Sequence, residues 1–199
     1  MVLRIAALVL IACGLGFGEP IIFTIQGVGT GTVNSTPFTD AAFTFTVTTD
    51  TTLIETFTLT SGDTGFETPE ISGADISISG IGPGTFADPE QIFLDHTLHR
   101  AGITDFLGTD PIPTDLLDGV NASFAPYDLQ SSIGPLPLTD LVALDQFVDI
   151  PTSLGGVTFT LATDVFFTAD TFVSPEPGTF VLAAGALLLA GVKFLARAR

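Results

Sequence analysis

Asp95, His96 and His99 are the tightest grouping of metal-capable side chains in this 199-residue chain. On a helix the two histidines would share a face, and Asp95 could add an oxygen. A zinc centre needs three or four such donors. The chain holds no further histidine, and its one cysteine is Cys13. The set falls short, so the expectation is no metal centre and histidines on a surface turn. Carboxylates two or three apart, Asp88 with Glu90 and Asp115 with Asp118, have the chemistry for glycoside acid/base work. That work needs a fixed separation and one raised pKa, and among 22 acidic residues such spacings arise by chance. Acidic loops have the oxygens calcium prefers, yet no stretch follows the alternating Asp/Asn-x-Asp-x-Asp-Gly pattern. No cofactor is expected.

Other chemistries fare no better. No Gly-x-Ser-x-Gly elbow is present, and only two histidines could serve as bases. Gly27-Val28-Gly29 runs on into Thr30-Gly31 rather than into a helix, which argues against a dinucleotide site. Asn34-Ser35-Thr36 and Asn121-Ala122-Ser123 are formal glycosylation sequons of the kind a Thr/Ser-rich chain contains by chance. There is no Trp and a single Tyr, Tyr127, whereas sugar-binding faces offer flat aromatic platforms with polar handles. The 18 Phe can fill a core but cannot hydrogen-bond a sugar. The expectation is a protein that is not an enzyme.

The elements that would position these residues are strands. Ile21, Phe23 and Ile25 share one face of an alternating run, as do Ala41, Phe43, Phe45 and Val47, with threonines between them. The same period of two recurs at Phe57–Leu59, Ile76–Ile78 and Val157–Leu161, and a last strand is expected over Val165–Phe172. Gly27 to Gly31 is expected to turn or bulge the first strand, because glycine accepts positive φ freely. Gly80–Gly84 and Thr109–Pro113 read as loops. The pattern weakens between Asp88 and Asp149: Pro89–His99 suits a strand or a helical turn, and Thr139–Phe147 a short helix or a strand. The predicted fold is mostly β, an antiparallel β-sandwich of about seven to nine short strands, with a partly open barrel as the alternative.

Composition sets the environment. Met1 to Gly18 carries Arg4, an apolar run from Ile5 to Phe17 and small residues before Glu19, the pattern of a signal peptide over 1–18. Leu10-Ile11-Ala12-Cys13 also resembles a lipobox, which would make Cys13 a lipidation site. The domain expected over 19–172 has no cysteine, so burial alone must hold it. Between Glu19 and Ser174 lie 21 of the 22 acidic residues against one base, Arg100, for a net charge of −20. Such a surface repels nucleic acid and anionic lipid.

The segment 173–199 runs Val-Ser-Pro-Glu-Pro-Gly, then an apolar stretch, then a basic end. Its apolar residues, about 179–196, would form a helix of roughly 27 Å against a hydrocarbon core of about 30 Å. Lys193 sits where its stem can reach the headgroups, and Arg197 and Arg199 follow, which makes this the cytoplasmic end. Pro175 and Pro177 hold Glu176 in an extended segment. This ordered trio resembles the PEP-CTERM sorting signal of Gram-negative bacteria. The resemblance implies that Pro175, Glu176 and Pro177 are recognised by exosortase, a membrane-embedded protease or transpeptidase. It also implies that Lys193, Arg197 and Arg199 flank an inner-membrane anchor until processing. Ser174 in place of a common Val, and the spaced basic end, depart from the pattern. Proteins with this signal are associated with exopolysaccharide and biofilm matrix, so a structural or adhesive role is expected. An extracellular glycan-binding or weakly enzymatic domain, and a plain single-pass membrane protein, are the alternatives.

Overall fold

Threonines alternating with Phe, Ile and Val give strands with one apolar and one polar face, and such strands bury the apolar face only by pairing and stacking. The computed structural model describes residues 18–105 and 114–172. Its strands, numbered in chain order, form two antiparallel sheets. Sheet A contains β1 (Pro20–Val33), β2 (Thr36–Asp50), β5 (Asp75–Ile78), β6 (Gly82–Thr85), β10 (Ile133–Pro137), β12 (Ile150–Thr152) and β13 (Gly155–Thr171). Sheet B contains β3 (Glu55–Thr58), β4 (Thr64–Glu67), β7 (Glu90–Asp95), β8 (Arg100–Asp105), β9 (Thr114–Val120) and β11 (Thr139–Val142). Sheet A runs in the order β10-β13-β1-β2-β5-β6 with β12 also on β13, and sheet B in the order β11-β9-β8-β7-β4-β3. The result is a β-sandwich-like fold, and Pro20–Thr171 is one compact unit.

The core is where the alternation places it. Ile21, Phe23, Ile25, Phe43, Phe45, Val47, Ile76 and Ile78 are all buried, and Ala41 packs against them from a partly buried position. Phe45 lies at its centre, stacked on Phe147 at 5.6 Å and edge-on to Phe86 and Phe159. From sheet B come Ile92, Leu94, Ala101, Ile103, Leu116 and Leu117. Without a disulfide, this packing supplies the cohesion.

Several expectations are corrected. The described residues form thirteen strands rather than seven to nine, and three of sheet A, β1, β2 and β13, run longer than short alternating runs suggest. Val157–Leu161 and the run expected from Val165, which ends at Thr171 rather than Phe172, belong to one 17-residue strand, β13, whose apolar phase slips where bulges interrupt the pairing with β1. One slip lies beside Thr160, because Gly31 pairs with Phe159 and Thr30 with Leu161. It turns Leu161 outward, so that residue is exposed rather than inward. Gly27 to Gly31 does bulge β1, at Gln26/Val28 against β13 and at Gly29/Gly31 against β2, but without positive φ: a Cβ at Gly29 would meet the Phe159 ring and one at Gly31 the Thr158 carbonyl. Gly80–Gly84 is only partly a loop: its last residues open edge strand β6, paired with β5. Pro89–His99 holds strand β7, and Thr139–Phe147 divides between β11 and a three-residue 3-10 turn. Among the described residues no helix is long and apolar enough to cross a membrane. The predicted span of about 179–196 lies outside them, as do Thr109–Pro113 and the signal peptide through Phe17.

Candidate binding groove on sheet B

One face of sheet B meets the core and the other is turned outward. Register places three rows across the outward face. Phe57, Gly65, Asp95 and Arg100 make the first, and Glu67, Phe93, Gly102 and Asp118 the second. Gln91, Thr104 and Asp115 make the third. Apart from Gly65 and Gly102, these residues line a groove of about 260 Å3, with Leu59, Asp63 and Leu98 also at its wall. Leu59 and Leu98 are exposed.

A β-bulge assembles the acidic part. Ile103 pairs with Leu117, but the next residue of β8, Thr104, pairs with Asp115, so Leu116 is an extra residue. In an uninterrupted strand, positions 115 and 118 would face opposite sides. The bulge sends Leu116 and Leu117 both into the core and leaves Asp115 and Asp118 both facing the groove. Two glycines then open space. A Cβ at Gly102 would collide with the Asp118 side chain and lie 2.6 Å from the Leu117 carbonyl oxygen. A Cβ at Gly65 would lie 2.8 Å from the Phe57 ring.

The Arg100 Nη1 donates to Asp118 Oδ2 at 3.2 Å, with the Asp118 side chain 1% exposed and that of Arg100 23% exposed. Asp118 Oδ1 and Arg100 Nε are buried and have no hydrogen-bond partner among the described residues. Burial pushes the Asp118 carboxyl up to about 6, although the Arg100 charge and the Val142 N–H oppose the rise. Burial also raises Asp115, again against Arg100. Glu67 is raised by burial and by Glu55, its neighbour across the β3–β4 pair.

A second acidic pair lies on the inner face. Glu90 and Asp105 sit opposite each other on β7 and β8, both 0% exposed, and none of their four carboxylate oxygens has a hydrogen-bond partner among the described residues. Burial first, then the charges of Asp105 and Asp88, push Glu90 up to about 9. Burial, then Asp88, pushes Asp105 up to about 6.

The predicted residues scatter among these places. Asp95 borders the groove, but its Oδ1 accepts from the Thr97 and Leu98 backbone N–H groups at 2.7 and 2.9 Å, shaping the β7–β8 turn. The His96 Nε2 lies 2.6 Å from the Tyr127 carbonyl oxygen, and its ring packs edge-on against Phe66. His99 is exposed at the turn with φ +52°. Among the described residues no three His, Cys, Asp or Glu side chains gather as a metal set. Asp88 and Glu90 do not share the groove, whereas Asp115 and Asp118 do. Both sequon asparagines are used in turns. Asn34 Oδ1 accepts from the Gly156 N–H and Nδ2 donates to the Leu154 carbonyl, while Asn121 bridges the Ser123 N–H and the Pro137 carbonyl. Cys13, Pro175, Glu176, Pro177, Lys193, Arg197 and Arg199 lie outside the described residues. Sequence reasoning missed Arg100 as a groove residue. The available signal was its isolation, one base among 21 acids.

No family model, curated protein or solved structure matches the chain.

Proposed function

We propose that this is an exported, non-enzymatic protein of the cell envelope or extracellular matrix, whose β-sandwich acts as a binding and adhesive module. Delivery rests on the two ends of the sequence: the signal peptide over 1–18 and the Pro175-Glu176-Pro177 segment with its apolar stretch and basic end. In this proposal an exosortase-type membrane enzyme recognises the Pro-Glu-Pro, and the inner membrane holds the chain until then. Exopolysaccharide is the proposed matrix partner, and nucleic acid is not a partner. The observation that carries the binding role is the sheet B groove, where the only base between Glu19 and Ser174 is fixed on a buried aspartate beside two phenylalanines. A groove combining apolar walls with a few placed polar groups is what small-ligand recognition requires.

The test of delivery is the intact mass of the protein from envelope and medium fractions, beside a variant with Pro175, Glu176 and Pro177 replaced by Ala. A wild-type mass lacking the residues after the Pro-Glu-Pro, with the variant uncut, is the expected result. A mass running to Arg199 in both would leave a plain single-pass membrane protein. A second reading, a weak glycan hydrolase, is favoured by Asp115 and Asp118 sharing one groove with both carboxyls raised. Release of reducing sugar from matrix polysaccharide, abolished in Asp115→Asn, would establish it in place of the binding role.

A further inference from the structure

We propose that the sheet B groove binds a small organic cation, with an ammonium head at Asp115 and Asp118 and an apolar body against Phe57 and Phe93. This rests on the groove being the working face of the domain, and it assigns the ligand class that face takes.

Charge count comes first. Five carboxylates line the groove, those of Asp63, Glu67, Asp95, Asp115 and Asp118, against Arg100 as the one cation. Arg100 does not offer itself to an anion, because its Nη1 is already on Asp118. Its charge is more than balanced by the carboxylates around it. A neutral ligand would leave that excess uncompensated in a partly desolvated site.

An unsatisfied group points the same way. Asp118 is 1% exposed and faces the groove, yet its Oδ1 accepts no hydrogen bond among the described residues. A buried carboxylate oxygen in that condition costs free energy until a donor arrives. An ammonium supplies up to three donors together with the compensating charge. Asp115 stands on the same face only because of the bulge at Leu116, so two carboxylates converge on one head.

The walls select the rest of the ligand. Phe57 and Phe93 line the groove, and aromatic rings attract cations and cover short alkyl stems, while Leu59 and Leu98 extend the apolar surface. A volume of about 260 Å3 lies just under the roughly 300–1,000 Å3 of pockets for drug-sized molecules. The ligand is therefore a head with a short body. A bare metal ion does not fit the walls, and no three-carboxylate set gathers among the described residues.

The test is isothermal titration calorimetry of the full-length chain in matched detergent buffer, at constant ionic strength. The probes are n-butylammonium chloride, sodium butyrate, 1-butanol and methyl glucoside. Saturable heat with butylammonium and none with the other three is expected. Asp118→Asn would disturb the buried ion pair, so the variants are Asp115→Asn and Phe93→Leu. The first should weaken butylammonium binding about tenfold and the second by about threefold, with unchanged far-UV circular dichroism. Equal binding of butanol would mean an apolar site only, preference for butyrate an anion site at Arg100, and preference for the glucoside a sugar site. Each of these overturns the cation assignment while leaving the groove as the working face. No saturable heat with any probe overturns both. The mass measurement on the sorting segment is independent of all these outcomes.

Discussion

Replacing Glu90 by Gln should flatten the dependence of stability on pH. Glu90 is fully buried opposite Asp105, and its carboxyl is pushed up to about 9 from an ordinary 4.5, first by burial and then by two neighbouring acids. Folding therefore takes up a proton at this site. For an acid whose folded pKa is raised, the stabilising contribution is complete below pH 4.5 and is lost as pH climbs toward 9. At about 1.36 kcal/mol per unit, the wild-type chain should lose on the order of 3 kcal/mol between pH 4.5 and 7 at this residue. Asp105, raised from 3.8 to about 6, adds a smaller loss in the acid half of that range.

The Glu90→Gln variant would keep the shape and drop the titration. The amide brings its own unsatisfied donors, a fixed cost of about 1–3 kcal/mol that does not vary with pH. The informative quantity is therefore the slope. Urea unfolding of full-length wild type and Glu90→Gln, followed by far-UV circular dichroism at steps from pH 4.5 to 8, gives it directly. Wild type should weaken steadily across the series, and the variant should retain mainly the part due to Asp105 and Asp118 below about pH 6. A variant whose slope equals that of wild type would refute the reasoning, since Glu90 would then be ionised in the fold and balanced by a bound cation.

The remaining predictions concern the groove and the core. Arg100→Met leaves Asp118 buried without its counterion and should cost about 2–4 kcal/mol at pH 8. The loss should shrink at pH 5, where Asp118, raised to about 6, is protonated, and Arg100→Met with Asp118→Leu should recover most of it. Gly102→Ala forces a methyl against Asp118 and the Leu117 carbonyl, so a loss of about 1–3 kcal/mol is expected in urea melts. Phe45→Ala empties the centre of the aromatic cluster and should cost about 3–5 kcal/mol, seen as an earlier melting midpoint.

The inner faces of the strands were legible because threonine alternates with aromatic and β-branched residues over long runs. Ile21, Phe23 and Ile25 point inward for the same reason in the sequence and in the fold. Bulges were not legible. Leu161 is exposed and Asp115 shares a face with Asp118 because a residue was added to one strand of a pair, and only the partner strand defines such an addition. Glu90 and Asp105 were hidden for a related reason. Ile92, Phe93 and Leu94 are apolar on both faces of β7, so the sequence gives no phase to say that Glu90 turns inward. The groove draws on β3, β4, β7, β8 and β9, spread over some sixty residues of chain from Phe57 to Asp118, and no local spacing announces it.

The place of β13 in sheet A governs the order of events during synthesis. This strand, at the far end of the described domain, pairs with β1 at its beginning and also with β10 and β12. Ile21 lies opposite Thr171, so the first described strand finds one of its two partners only after about 150 further residues have been made. Such distant pairing makes closure of the sheet slow and late. A nascent or truncated chain that stops before Gly155 leaves one whole edge of β1 open, with Phe23 and Ile25 lacking the neighbours that cover them. Local hairpins such as β1–β2 and β7–β8 can pair early, but sheet A is closed only when this last strand docks, so the barrier to its unfolding is completed late.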